Sequence, residues 1–160
     1  MCYQTSVLDR ALVSDEGGGL DVPGTGVETI EDHIGCLTGP DLKQAVIAAR
    51  QLIDRTHAEL VLLVCELDRR QLPEIEDRLT TTGWLKHHTR MTAAEASGTF
   101  KTGRAAPHMP TIMQHALSGE IPARSLQLLA QVRDKHRDEF NNHEEVFADV
   151  ATYLSATDMR

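Results

Sequence analysis

The chain is 160 residues long, 41% hydrophobic and 25% charged, the size and balance of one ordinary globular domain and too little for a multidomain enzyme. Sixteen Lys and Arg against 24 Asp and Glu give a formal charge of -8, which excludes a protein that coats nucleic acid over its whole surface. Aromatic residues are only 4% and the apolar ones are mostly Ala, Leu, Val and Ile, a composition that fills helix-on-helix cores and predicts an all-α fold.

Residues 17–26 (GGGLDVPGTG) carry turn signals and no helical periodicity, so residues 1–26 are expected to be a short helix and a Gly-rich linker. A single helical domain is expected over residues 27–160. Gly39 and Pro40 open its long helix, predicted over 41–71 and on the order of 45 Å long. Its stripe of Leu42, Val46, Ala49, Ile53, Leu60, Val64 and Leu67 has helical spacing. Two uses of that stripe stay open. It is the core of an intramolecular bundle, or Leu42, Val46, Ile53, Leu60, Val64 and Leu67 form a homodimer seam of coiled-coil type. Pro73 is expected to end the helix, because proline cannot continue the hydrogen-bond ladder.

Five short helices are predicted after it, over 76–88, 92–104, 109–118, 122–137 and 142–155. Thr92 with Glu95, and Asn142 with Glu145, each place an acceptor at a helix start and a carboxylate three residues on. Pro107, Pro110, Gly119 and Pro122 separate the middle pieces. The architecture expected is one long helix packed against a bundle of short ones.

Charge is unevenly spread along this chain. Residues 1–77 hold 6 basic and 15 acidic side chains, residues 78–137 hold 9 and 3, and residues 138–160 hold 1 and 6. The middle block is a basic island that also carries five of the eight His. Such an island is the electrostatic footprint of a nucleic-acid-binding surface, or else a set of solvated faces balancing acidic flanks. Within it, a helix closing on Trp84 and Leu85, a three-residue turn and a helix capped by Thr92 have helix-turn-helix spacing over residues 76–104. Ala93, Ala96, Phe100 and Gly103 share one face of the second helix, and Ala94, Ser97, Lys101 and Arg104 another. The second face is the candidate for double-stranded DNA, with Thr92, Ser97, Lys101 and Arg104 facing it and Lys86, Arg90 and Arg124 as backbone contacts.

The run LVLLVCELDRRQ followed by TGWLKHHTRMTAAEASGTFKTGRAAPHMPTIMQHALSGEIPARSLQLLAQV resembles the actinobacterial 13E12 repeat family, a domain of unknown function found ahead of HNH endonuclease modules. The resemblance spans about residues 42–154. It rests on Leu67-Asp68-Arg69-Arg70, on Trp84-Leu85 followed by Thr92-x-x-Glu95-Ala96, and on the step Leu117-x-Gly119-x-Ile121 into a helix near Pro122. More distantly, Thr92 to Arg104 is similar to the recognition helix of ParB-type helix-turn-helix proteins. Pro122 stands where both patterns usually have a capping Ser, and Gly98 and Gly103 depart from the usual recognition helix. The resemblance implies a DNA-associated helical module. In those relatives the nuclease chemistry lies in a C-terminal metal-binding module, for which Asn142 and His143 are no substitute. No catalysis is therefore expected of this chain, with a fragment of an HNH endonuclease as the further alternative.

Other chemistry finds little support. His33 with Cys36, His87 with His88, His108 with His115, and His136 with His143 supply nitrogen or sulfur donors but no convergent set of three or four, so neither a metal nor another cofactor is expected. No G-x-S-x-G elbow or phosphate loop occurs, and no small-molecule substrate is evident. Cys2, Cys36 and Cys65 are widely spaced and form no C-x-x-C pair, which fits a reducing cytoplasm. The longest strongly apolar run, Leu60 to Cys65, is far short of the roughly 20 residues that span a bilayer. The chain is expected to have no membrane partner.

Overall fold

A computed structural model describes residues 34–154 and Thr157. The short helix and linker expected over residues 1–26 lie outside the described residues. The chain divides into two compact units, Met1–Leu37 and Thr38–Arg160. In the first unit the described residues close one turn through a hydrogen bond from the Leu37 N–H to the Ile34 carbonyl at 3.2 Å.

The second unit is all-α, with eight helices and no strand among its described residues. Helix α1 (Gly39–Arg69) is 31 residues long. Thr38 caps it by accepting the Asp41 N–H, and Pro40 lies in its first turn, where a missing N–H costs nothing. The helix stops before Pro73 is reached: Gln71 turns to a φ of 54°, and Pro73 instead occupies the first turn of a short α2 (Leu72–Glu76). The single helix expected over 76–88 is broken as well. Arg78 adopts a φ of 56°, and Thr80 starts α3 (Thr81–Thr89) by accepting the Gly83 N–H at 3.1 Å.

Helix α4 (Ala93–Ala105) begins as its sequence dictates. The Thr92 hydroxyl accepts the Glu95 N–H while the Glu95 carboxylate accepts the Thr92 N–H, a reciprocal capping box, and donation by the Thr92 hydroxyl and then by its N–H holds the Glu95 carboxyl below its usual range. A 3-10 turn (Ala106–His108) leads to α5 (Pro110–Ser118), followed by α6 (Ala123–Lys135), α7 (Arg137–Asn142) and α8 (Glu144–Tyr153). The helix expected over 122–137 thus divides at His136, whose backbone (φ -134°, ψ 56°) leaves the helical region. The start expected at Asn142 moves to Glu144. Asn142 ends α7, and α8 begins with no side-chain cap.

Glu144, the first residue of α8, has a task outside its own helix. Helix α5 follows Met109 and has no local cap, and the Glu144 carboxylate accepts the Thr111 and Ile112 N–H groups at 2.8 and 3.2 Å. Helix α6 follows Pro122, which has no side-chain acceptor, and is completed in the same way from α1. Asp54, 3% exposed, accepts the Ala123 N–H at 2.8 Å and is gripped by Arg50 through bonds of 2.9 and 2.7 Å. Two Pro-led helix starts are therefore satisfied by carboxylates remote in sequence.

The main core joins Ala58 and Val61 of α1 to Ile112, Met113 and Ala116 of α5, Leu126 and Leu129 of α6, and Phe140 of α7, which stacks on Phe147 at 4.8 Å. A smaller cluster sets Val64 of α1 against Leu85 of α3 and Ala96 of α4, with Leu60, Trp84, Met91 and Phe100 packed around it. The α1 stripe is therefore not one seam. Val64 is buried, Leu60 and Leu67 are half-buried, and α3 and α4 cover this end of the stripe. Leu42, Val46 and Ile53 stay exposed.

His57 ties the stability of α1 to pH. Its Nε2 is buried with no hydrogen-bond partner, and burial lowers its pKa below 6.5 against an opposing pull from Asp54. The unfolded chain therefore takes up this proton more readily than the folded one. Its contribution is full above pH 6.5 and is lost as pH falls through the lower folded-state value. Melting temperature is expected to decline between about pH 7 and pH 5 and to flatten in His57→Gln. Equal slopes in the two proteins would remove His57 as the cause.

Candidate nucleic-acid interface

The α3 and α4 helices are joined by three residues, Arg90, Met91 and Thr92. Arg90 takes a φ of 58°, and half-buried Met91 packs on the smaller core cluster, so the turn is held from beneath. Thr81 at the start of α3 donates to Asp68 of α1 at 2.7 Å, and the Trp84 indole donates to Asp77 at 2.9 Å. The pair of helices is thus fastened to the C-terminal end of α1.

Helix α4 is clasped on two sides. A Cβ on Gly103 would stand 3.1 Å from the Val61 carbonyl oxygen and 3.3 Å from the Cys65 nitrogen, so a larger residue would require the α1 backbone to shift by a few tenths of an ångström. On the other side Gly98 lies against Gln127 of α6. Ala96, Thr99, Thr102, Gly103 and Ala105 are buried by these neighbours. The packing accounts for Gly103, whereas a Cβ at Gly98 would meet Gln127 at an ordinary 3.6 Å.

What α4 leaves open is its first turn, including Ala93 and Ala94, and the strip through half-buried Ser97 to exposed Lys101 and Arg104. Thr92 is exposed, but its hydroxyl is engaged by Glu95. Lys101 and Arg104 are brought together with Arg133 of α6 and Arg137 at the start of α7 along a cleft of about 480 Å³, and the Arg104 guanidinium lies 5.9 Å from the Phe100 ring centre. Lys86, Arg90 and Arg124 are exposed on three other segments: α3, its turn and the start of α6. Arg133 and Arg137 are the basic residues that sequence reasoning left out of the site. They belong to the basic island, but nothing local in sequence sets them beside α4.

A second groove runs between α1, α5 and α8, lined by Val46, Ile47, Arg50, His115 and Tyr153 among others. There His115 Nδ1 and the Glu120 carboxylate are 2.6 Å apart, which holds the Glu120 carboxyl below its usual range. His108 is elsewhere, in the basic cleft, so these two histidines do not share a face. The Thr152 hydroxyl in this groove is committed to the Asp149 carbonyl at 2.7 Å and offers no activated nucleophile. Burial, Asp68 and Glu66 all push the Cys65 thiol up, away from a reactive thiolate. Among the described residues, no three His, Cys, Asp or Glu side chains are grouped to hold a metal ion.

Compared with family models, curated proteins and solved structures, the chain matches none. Among the described residues no helix is long and apolar enough to cross a membrane.

Proposed function

We propose that this protein is a non-catalytic, DNA-associated helical module of the 13E12 repeat type. The supporting observation is the exposed basic strip of α4, in which Lys101 and Arg104 stand beside Arg133 and Arg137 on a protein whose net charge is -8. The helix is clasped on both flanks, so this reading assigns it to phosphate contact more than to deep base readout, with the α3–turn–α4 pair acting as the helix-turn-helix. Ser97 serves as a polar neighbour, and Lys86, Arg90 and Arg124 as outlying backbone contacts. A cytoplasmic setting suits this role.

Fluorescence anisotropy on duplex DNA over a salt series tests the reading. Affinity is expected to fall log-linearly with salt, and Lys101→Ala with Arg104→Ala to weaken binding and reduce the slope by about 2. The absence of binding at low salt and micromolar protein would refute it. Supercoiled plasmid with Mg²⁺ or Mn²⁺ is expected to remain uncut.

One observation favours a second reading, a homodimerisation or protein-interaction module. Leu42, Val46, Ile47 and Ile53 leave the first half of α1 with exposed apolar side chains, Val46 at 63% and Ile53 at 58%. Light scattering separates the readings: a salt-insensitive dimer without DNA affinity supports the second, and a salt-sensitive DNA complex the first.

A further inference from the structure

The cleft between α4 and α6 has an unusual charge balance. Lys101, Arg104, Arg133 and Arg137 line it against a single carboxylate, Asp134, which lies 3.3 Å from Arg137. Among the described residues no carboxylate comes within ion-pair distance of Lys101, Arg104 or Arg133. Arg133 is the decisive group. It is only 8% exposed, and its Nε is buried with no hydrogen-bond partner. A guanidinium largely withdrawn from water is costly unless an anion and acceptors replace its lost hydration, and the described residues place no carboxylate within ion-pair distance of it.

The ends of the two helices work against the cations without cancelling them. Gly98 lies against Gln127, while Lys101 and Arg104 share the cleft with Arg133 and Arg137, so α4 and α6 run in the same direction and end near each other. Each C-terminus contributes about half a negative charge. Four cations less one carboxylate still exceed that sum.

We propose that this cleft is a phosphate-binding site, in which Arg133, 8% exposed, forms the floor and Lys101 and Arg104 close on the phosphate oxygens from the exposed side. Arginine suits the task because its planar fork matches two oxygens of a phosphate at once. The inference goes beyond duplex recognition: the site is defined by its own side chains, and its phosphate comes from a nucleic-acid backbone or from a small phosphate-bearing molecule.

Isothermal titration of the whole chain with inorganic phosphate and with pyrophosphate at low salt tests it. Saturable binding is expected, with competition by sulfate and a loss of roughly tenfold or more in the Lys101→Ala, Arg104→Ala double variant. Both side chains are exposed, so this variant keeps its fold. Arg133→Lys, which keeps the charge but loses the fork, is expected to weaken binding, whereas Lys43→Ala on α1 leaves it unchanged. Failure of both anions to bind saturably, or an equal loss in Lys43→Ala, overturns the site. Displacement of bound pyrophosphate by duplex DNA assigns the phosphate to a nucleic-acid backbone. Pyrophosphate binding in a protein with no DNA affinity keeps the site, assigns it to a small ligand, and refutes the DNA reading alone.

Discussion

Asp54→Ala is expected to destabilise the protein by about 3 kcal/mol and to lower its melting temperature by roughly 10 °C, the largest effect of any single charged-residue substitution. Three losses combine in it. The half-buried Ala123 N–H is left without its acceptor, the α6 start loses a negative charge at the positive end of its dipole, and Arg50 loses both of its bonds. Arg50→Ala removes only the last of these, and because Arg50 is largely exposed its cost is expected to be about 1 kcal/mol or less. Asp54→Asn retains an acceptor without the charge and falls between the two. Thermal unfolding of the three variants checks the order, and an Asp54→Ala protein melting within a degree of the parent would show that α6 needs no cap from α1.

Gly119→Ala is expected to cost a similar amount, about 3 kcal/mol, from two separate sources. Gly119 ends α5 with a φ of 84°, a conformation that L side chains rarely adopt, and its N–H groups the last turn by donating to the Ala116 and His115 carbonyls. A Cβ there would also stand 2.8 Å from the Gln51 carbonyl oxygen, a backbone atom of α1 that cannot rotate aside. Gly39→Ala supplies the comparison, since a Cβ at that position meets nothing within 4 Å and the change is expected to be close to neutral. Chemical denaturation of both variants decides the matter; equal stability would mean that α5 and α1 separate without cost.

The helices were legible in sequence wherever their signals are local. The Thr92 and Glu95 pair fixes the start of α4, Gly119 marks the end of α5, and the spacing of Val64 and its neighbours announces a long α1. The errors arise where distant residues decide. Nothing in Lys135-His136-Arg137 breaks a helix, yet the chain turns there and carries Phe140 into the core. Asn142 and Glu145 look like a helix start, but that reading could not know that Glu144 is required at the beginning of α5. Pro122 looked like a lost cap because its replacement, Asp54, lies in another helix altogether. The candidate site divides in the same way: Lys101 and Arg104 follow from helical spacing, whereas the burial of Arg133 and its place opposite them depend on how α4 and α6 pack.

The remote caps also set a lower limit on the size of the folding unit. Asp54 belongs to the first long helix and completes one near the middle of the chain, while Glu144 belongs to the last helix and completes another. Cutting the chain anywhere between these residues strands a helix start on one side of the cut and its acceptor on the other. The two caps thus link α1 to α6 and α8 to α5, tying elements distant in sequence on either side of the basic cleft between α4 and α6.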